Sequence, residues 1–235
     1  MKCLKLFGCI HLLQVYGFGS IDSDADTSPS CLKLVTFLRM AGIEFEYIGM
    51  MDHMGQRAPN GKIPWVHWRQ LNNGKPMGDA YFIIDELLRT QPIDLDGWLS
   101  SEELAIASAF RAMLEESVYF GCAYVRWATP EFWRCTCDTY FRRACGLPPP
   151  LHWVIGLIVR RRMLRAQWAQ GTGRLSDSEV THKVGTELRA AEAFLGRKRY
   201  LMGDRPSSVD SAAFAYIAAF LQVLLASSRP PACPA

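Results

Sequence analysis

The sequence predicts an α/β + all-α protein, in which a half built on a four-stranded mixed sheet precedes a wholly helical half. Three observations lead to this prediction. The chain up to residue 90 alternates β-prone and amphipathic helical segments, residues after 97 carry only helical patterns, and a stretch with one proline and two aspartates separates them. We therefore predict a first domain at 1–90, a linker at 91–97 and a second domain at 98–235.

The opening of the chain predicts a strand, a loop, a helix and a second strand. Leu12–Phe18 is apolar and β-prone, and the Asp- and Ser-rich run 20–28 predicts a loop. Apolar residues recur at helical spacing over 30–40, where Ser28 is the expected N-cap because a proline follows it. Residues 43–48 alternate apolar and acidic side chains, as in a half-buried strand. We expect the two strands of this βαβ unit to pair in parallel.

The rest of the first half predicts a hairpin and a helix. Residues 63–68 form a predicted strand that opens with Ile63-Pro64, and Asn72-Asn73-Gly74 is typical of a tight turn. We predict that the Ile63-Pro64 peptide is cis and lies at the edge of the sheet, because proline cannot donate a ladder hydrogen bond. Asp79 should cap a helix that extends through Leu88. The predicted apolar face of that helix holds Tyr81, Ile84, Leu87 and Leu88.

Capping signals delimit the helices of the second half. Ser100 or Ser101 should begin a helix that ends near residue 127, and the prolines at 148–150 should break the chain before a helix over 151–169. Ser176-x-x-Glu179 and Ser207-x-x-Asp210 are capping boxes for two further helices. We expect the last and most apolar helix to be buried, with a short tail anchor as the alternative. Asp210 should lie buried beneath the helical half.

Charge, hydrophobicity and cysteine spacing argue against several classes of function. The formal net charge is only +3 and no dense Lys/Arg stripe accompanies it, so nucleic acid is not an expected partner. No segment reaches the roughly 18 apolar residues that a membrane span requires. The eight cysteines are scattered, which favours a reducing compartment, and neither they nor the histidines have metal-ligand spacing. We expect residues 1–11 to be an extra leader.

Four segments resemble glutathione S-transferases. Residues 27–34 resemble the start of the first helix of a thioredoxin-like domain, and Ile63-Pro64 resembles the cis-proline before its third strand. Gly78-Asp79-Ala80 resembles the acidic residue and serine that open the third helix, and residues 200–210 resemble the capping segment of the helical domain. The resemblance implies a thioredoxin-like N-terminal domain followed by a helical C-terminal domain of the transferase type.

The resemblance extends over about residues 13–222 and is strongest to the failed-axon-connections group, which is related to the metaxins. The segments that carry it are 15–19, 28–33, 40–42, 171–174 and 201–204. Three features depart from the family pattern: Ala80 stands in place of a serine, Ser30 in place of an aromatic residue, and residues 229–235 in place of a further helix, so the second domain is expected to be shortened at its end.

By resemblance, five residues form the candidate glutathione site. Ser28 would stabilise the thiolate of glutathione at a helix N-terminus, although a role as N-cap alone is an equal alternative. The backbone of Ile63, before Pro64, would bind the cysteinyl part, and Asp79 would bind the amino group. Ala80 has no hydroxyl for the ligand's carboxylate, which removes a hydrogen bond of about 1.5–3 kcal/mol.

Cys31 follows Ser28 in an S-x-x-C pattern, as if the first cysteine of a dithiol motif had become serine. We favour a structural role for this thiol because it lies on the apolar side of a predicted helix, and thiol exchange is the alternative.

Two functions follow from the resemblance. In the first, the protein is an enzyme that transfers glutathione, its co-substrate, to a small electrophilic molecule. In the second, it is a non-catalytic, metaxin-like adaptor or targeting protein. A homodimer is compatible with both, and the cytoplasm is the expected location, with the surface of the mitochondrial outer membrane as the alternative.

One further motif lies outside this resemblance. Arg160, Arg161, Arg162 and Arg165 follow the apolar run Val154–Val159. They indicate either a solvated helix end, which is the expected interpretation, or a surface for an acidic partner or a membrane.

Overall fold

The computed structural model describes residues 12–21, 25–26, 28–53 and 56–228. The expectations for the leader at 1–11 and for the chain end at 229–235 lie outside these residues. Nothing in the fold tests the predicted domain boundaries, which remain a prediction.

A four-stranded mixed sheet forms the centre of the first half, as predicted. Its strands in spatial order are β4 (Phe45–Ile48), β1 (Leu13–Tyr16), β5 (Trp65–His67) and β6 (Met77–Gly78). Strand β1 pairs in parallel with β4 and antiparallel with β5, and β5 pairs antiparallel with β6. The parallel pair requires a crossover, which helix α1 (Pro29–Met40) provides. Helix α2 (Ala80–Thr90) follows β6. Within the predicted loop, β2 Ser20–Ile21 and β3 Ala25–Asp26 form a two-stranded sheet.

Helices α1 and α2 cover one face of the sheet. Alternation along β1 and β5 directs Leu13, Val15 and Val66 into the core, where they are fully buried. They pack against one apolar cluster from the two helices, which consists of Leu34, Phe37, Leu38, Ile83, Ile84 and Leu87. The prediction of the apolar face of α2 is therefore partly wrong. Tyr81 is exposed, and Ile83 lies in the core instead.

The Ile63-Pro64 peptide is cis, which confirms the prediction. The predicted edge position is wrong, because β5 lies between β1 and β6. Proline is tolerated there because it precedes the first ladder residue, Trp65, rather than replacing one. The turn that joins β5 to β6 has positive φ at Asn72, Asn73 and Gly74, as its sequence predicts.

The described part of the second half is built from helices. Its long first helix is interrupted at 113–118 by a π-helical segment, and a second such segment ends the helix that begins at Pro130. This element over 130–144 is absent from the sequence prediction. The bounds are α3 Ser101–Ala112, α4 Tyr119–Ala128, α5 Pro130–Cys137, α6 Leu151–Gln170, α7 Asp177–Leu195 and α8 Ser208–Ser228. No helix among the described residues combines the length and apolarity needed to cross a membrane.

Capping interactions begin three of these helices at the predicted places. Ser100 and Ser176 each form a complete capping box with the glutamate three residues later. Before α8, the Asp210 carboxylate accepts hydrogen bonds from the Ser207 N–H and hydroxyl, both at 2.8 Å, and from the Leu201 N–H at 2.7 Å. Asp210 is half-buried rather than buried as predicted, since it lies at the end of its helix.

Helix α1 joins the two halves. Leu32 on its outer side packs against Leu114, Val118 and Tyr216 of the helical half. Beside this apolar contact, the buried Lys33 ammonium forms an ion pair with Glu115 at 2.7 Å. The N-terminus of α1 is therefore held between the sheet and the helical half.

Candidate functional site

Ser28 lies directly before α1, with Pro29 as the first helical residue. Its backbone is extended, as at an N-cap, but its hydroxyl makes no capping hydrogen bond. Ser28 is therefore the N-cap residue, as predicted, but its side chain does not cap the helix. The hydroxyl is engaged with the Cys31 thiol instead, and the Asp26 carboxylate accepts the Ser28 N–H at 2.7 Å from outside the helix.

Asp26 is a residue that sequence analysis missed. Its side chain is only 6% exposed, and its carboxylate also accepts hydrogen bonds from the Gly19 N–H at 3.4 Å and from the Tyr47 hydroxyl. Burial raises the pKa of Asp26 to about 7, although the backbone hydrogen bonds act in the opposite direction. In the sequence it was one of several acidic residues in a predicted loop, and only its offset of two from Ser28 set it apart.

Tyr47 reaches Asp26 by crossing the end of β1. A Cβ at Gly17 would collide with the Tyr47 hydroxyl, so a larger residue there would displace the Tyr47 ring. The hydroxyl accepts the Gly19 N–H at 3.2 Å and donates to Asp26. Strand β4 thus helps to hold the loop between β1 and α1 in place.

Cys31 lies beneath Ser28 and is completely buried. Burial and the charge of Asp26 raise the pKa of the Cys31 thiol well above its ordinary value, and a hydrogen bond from the Ser28 side chain offsets only part of this. A thiol in this state is a poor nucleophile, as the favoured structural interpretation predicts.

Pro64 and Asp79 lie side by side at the end of the sheet. The Pro64 carbonyl accepts the Asp79 N–H at 3.2 Å, and Ile63 is half-buried next to it. Among the described residues, neither the N–H nor the C=O of Ile63 has a hydrogen-bond partner. This short backbone edge is therefore free to pair with a peptide ligand.

Asp79 adopts a positive φ of 73°, and its exposed carboxylate accepts the Tyr81 N–H at 2.9 Å. The predicted cap of α2 is thus confirmed. Ala80, the first residue of the helix, is buried against the core of the first half and contributes no polar group.

A pocket of about 370 Å³ extends from Asp79 towards the helical half. The Arg111 guanidinium lies 4.5 Å from the centre of the Tyr81 ring and donates to the Ser108 hydroxyl at 3.2 Å. The pocket lining therefore includes three carboxylates, those of Asp79, Glu115 and Glu116, and the guanidinium of Arg111. Its lining consists of Asp79, Tyr81, Phe82, Ser108, Arg111, Ala112, Glu115 and Glu116.

The structure brings four of the five predicted site residues together: Ile63, Pro64, Asp79 and Ala80 are contiguous at one end of the sheet. Ser28 lies on the separate N-terminus of α1. Ser30, in the first turn of the same helix, contacts the helical half, where its hydroxyl lies 3.4 Å from that of Tyr216.

Two models of known protein families match parts of this chain. Residues 29–132 match the model for the glutathione S-transferase N-terminal domain, and residues 184–232 match the model for the glutathione S-transferase C-terminal domain. The isoprene-epoxide–glutathione S-transferase of Rhodococcus sp. (strain AD45) is 31% identical over 206 residues, which cover 86% of this chain and 84% of that protein.

Two other relatives are larger proteins. Failed axon connections of Drosophila melanogaster is 28% identical over 88% of this chain, and metaxin-1 of Homo sapiens is 27% identical over 91% of it. The chain spans about half the length of each, namely 49% and 44%.

Solved structures of glutathione transferases share the fold. GSTFuA3 from Phanerochaete chrysosporium has a TM-score of 0.59 at 15% identity, over 90% of this chain and 85% of that one. A family member from Pseudomonas fluorescens Pf-5, solved with two glutathione bound, has a TM-score of 0.55 at 14% identity, over 89% and 77%.

Proposed function

Since this chain belongs to the glutathione S-transferase family, we propose that it transfers glutathione to a small electrophile through a thiolate stabilised at Ser28. The observation that carries the proposal is the contact between Pro64 and Asp79 at 3.2 Å. It places a free backbone edge beside an exposed carboxylate, and these two features suit adjacent parts of one tripeptide.

The thiol end of glutathione would lie at the N-terminus of α1. The first-turn N–H groups of a helix and its dipole favour an anion at this place. The Ser28 hydroxyl is not used as a helix cap, so it would turn from the Cys31 thiol to donate to a sulfur anion. Such donation lowers the thiol pKa of the ligand and increases the fraction of thiolate at neutral pH.

The glutamyl end would lie in the pocket beside α2. Its ammonium group would pair with Asp79, and its carboxylate would face the Arg111 guanidinium across the pocket. In this arrangement Arg111 supplies the favourable charge interaction that Ala80, without a hydroxyl, cannot. The Glu115 charge in the same pocket is paired with Lys33.

In the reaction, the glutathione thiol loses its proton to solvent and the thiolate sulfur attacks an electrophilic carbon. A C–S bond forms while the bond from that carbon to the leaving atom breaks, and the leaving atom takes the electron pair and then a proton. Ser28 acts on the sulfur, whereas Ile63 and Asp79 hold the peptide.

Calorimetric titration of the purified protein with glutathione tests the binding site. Asp79→Asn keeps a good helix cap but removes the charge, so we expect glutathione affinity to fall at least about tenfold. Asp85→Asn is the matched control, since it removes an exposed carboxylate from the same helix. Equal effects of the two substitutions would contradict the proposed site.

The buried Ala80 favours the second candidate, a non-catalytic adaptor similar to the metaxins. Ala80→Ser restores the hydroxyl of the family pattern, and under the enzyme proposal it should tighten glutathione binding. If the wild-type chain shows no saturable binding and Ala80→Ser creates none, the adaptor is the better description.

The proposed location of the protein is a reducing compartment. Cys31, Cys122, Cys135, Cys137 and Cys145 are free thiols, which suits a reducing compartment such as the cytoplasm.

A further inference from the structure

Helix α6 exposes one long stripe of side chains. Leu151, Val154 and Ile158 lie on this stripe and are 45–56% exposed, although each is aliphatic. The helical period then brings Arg161, Arg165 and Trp168 onto the same line, over a length of about 26 Å. With the flanking residues, the α6 face consists of Leu151, Val154, Leu157, Ile158, Arg161, Arg162, Arg165 and Trp168.

The opposite side of α6 fixes this orientation. Trp153, Ile155, Val159 and Met163 pack against the aromatic cluster of the helical half. A Cβ at Gly156 would collide with the sulfur of Cys137, so the helix is seated closely at this point. The exposed stripe is therefore a consequence of tight packing on the other side.

The segment around α6 carries only positively charged side chains among its Asp, Glu, Lys and Arg residues. Residues 139–176 include seven arginines and no Asp, Glu or Lys. In the part of the chain that the structure describes, no carboxylate lies within ion-pair distance of Arg161, Arg162 or Arg165. The α6 face thus combines an aliphatic half with a positively charged half.

We propose that the α6 face binds the surface of an anionic lipid bilayer. The aliphatic side chains would enter the boundary between headgroups and acyl chains, as in interfacial helices, and Trp168 suits the same depth. The arginines would pair with lipid phosphates, for which the planar guanidinium is well shaped. In this binding mode α6 lies flat on the membrane surface, and no glutathione is required.

Charge and shape decide between a bilayer and other occupants. A second copy docked through the same face would bring arginines of both copies together without an acidic group between them. An acidic protein would satisfy the arginines, but the aliphatic half projects from a convex helix and forms no groove for a peptide. A flat anionic surface with an apolar interior satisfies both halves at once.

Vesicle flotation with the full chain tests the proposal. We expect binding to vesicles made of equal parts phosphatidylcholine and phosphatidylserine, weaker binding at high salt, and no binding to phosphatidylcholine alone. R161Q/R162Q/R165Q should lower the partition coefficient at least about tenfold. V154S/I158S should also lower it while the charge stays constant. Circular dichroism melting of each variant establishes that it is folded.

The matched control is R57Q/R69Q/R197Q, which removes three exposed arginines elsewhere and should retain binding. Four results would overturn the proposal. Three of them are no binding to anionic vesicles, equal losses in the control and in R161Q/R162Q/R165Q, and capture by soluble polyglutamate without vesicle binding. A solution dimer that V154S/I158S dissociates would overturn it in favour of a second copy.

Discussion

The carboxylate of Asp26 accepts a hydrogen bond from the backbone N–H of Ser28 at 2.7 Å. This contact fixes the residue before α1 from outside the helix, and the Ser28 hydroxyl makes no capping hydrogen bond. Tyr47 supports the same carboxylate from β4. The position of Ser28, the proposed catalytic residue, therefore depends on a buried acid.

The raised pKa of Asp26 predicts a specific dependence of stability on pH. Between about pH 4 and about pH 7 the carboxyl is ionised in the unfolded chain but protonated in the folded one, so folding stability falls as pH rises through this window. Asp26→Asn should abolish this loss, which we expect to be roughly 2–4 kcal/mol. Denaturant unfolding at about pH 5 and about pH 8 measures it. Asp52→Asn, an exposed site, should keep the wild-type profile.

The Lys33–Glu115 ion pair predicts a stability effect at the contact between the two halves. Lys33→Met leaves the largely buried Glu115 carboxylate without its partner, so unfolding free energy should fall by about 3 kcal/mol. The double variant Lys33→Met/Glu115→Leu should recover most of this loss, because no unpaired charge remains. Equal stability of the single and double variants in urea unfolding would contradict this explanation.

We predict that the capping interactions of Asp210 before α8 contribute to the stability of the protein. Its carboxylate satisfies three donors from Leu201 and Ser207, so Asp210→Ala should destabilise the protein by about 2 kcal/mol, at the upper end for a cap. The exposed Asp204, six residues earlier, offers a control in Asp204→Ala, which should melt like the wild type. Unchanged melting of Asp210→Ala would show that the segment is held by other contacts.

We predict that Arg111 recognises the glutamyl end of glutathione. If its guanidinium faces the ligand carboxylate, Arg111→Gln should raise KM for glutathione about tenfold with little change in kcat, because the contact holds the ground state and the transition state alike. Steady-state kinetics at varied glutathione concentration measures both constants. A lower kcat at constant KM would place Arg111 near the reacting atoms instead.

Local signals were sufficient for much of the fold. The Ser-x-x-Glu boxes at 100 and 176, the cap at Asp79 and the Asn-Asn-Gly turn depend on neighbours within a few residues, and the structure confirms each. The cis peptide at Pro64 followed from proline's chemistry together with the family resemblance.

Features that depend on distant contacts could not be predicted. Asp26 differs from other acidic residues of its loop only because Tyr47, 21 positions later, folds over Gly17 to reach it. Tyr81 has the spacing of a core residue but faces the pocket, where Arg111 covers its ring. The element over 130–144 escaped prediction because its second part is π-helical, which shifts the side-chain period away from the usual helical spacing.

The most direct test of the central proposal is the ultraviolet thiolate absorbance of glutathione bound to the wild-type chain, titrated against pH. We predict a saturable thiolate signal with a pKa well below that of free glutathione, and its loss in Ser28→Ala at nearly unchanged glutathione affinity. Ser30→Ala, in the first turn of the same helix, should keep the signal. A bound thiol that titrates like free glutathione in the wild type, or equally in wild type and Ser28→Ala, would contradict the proposed role of Ser28.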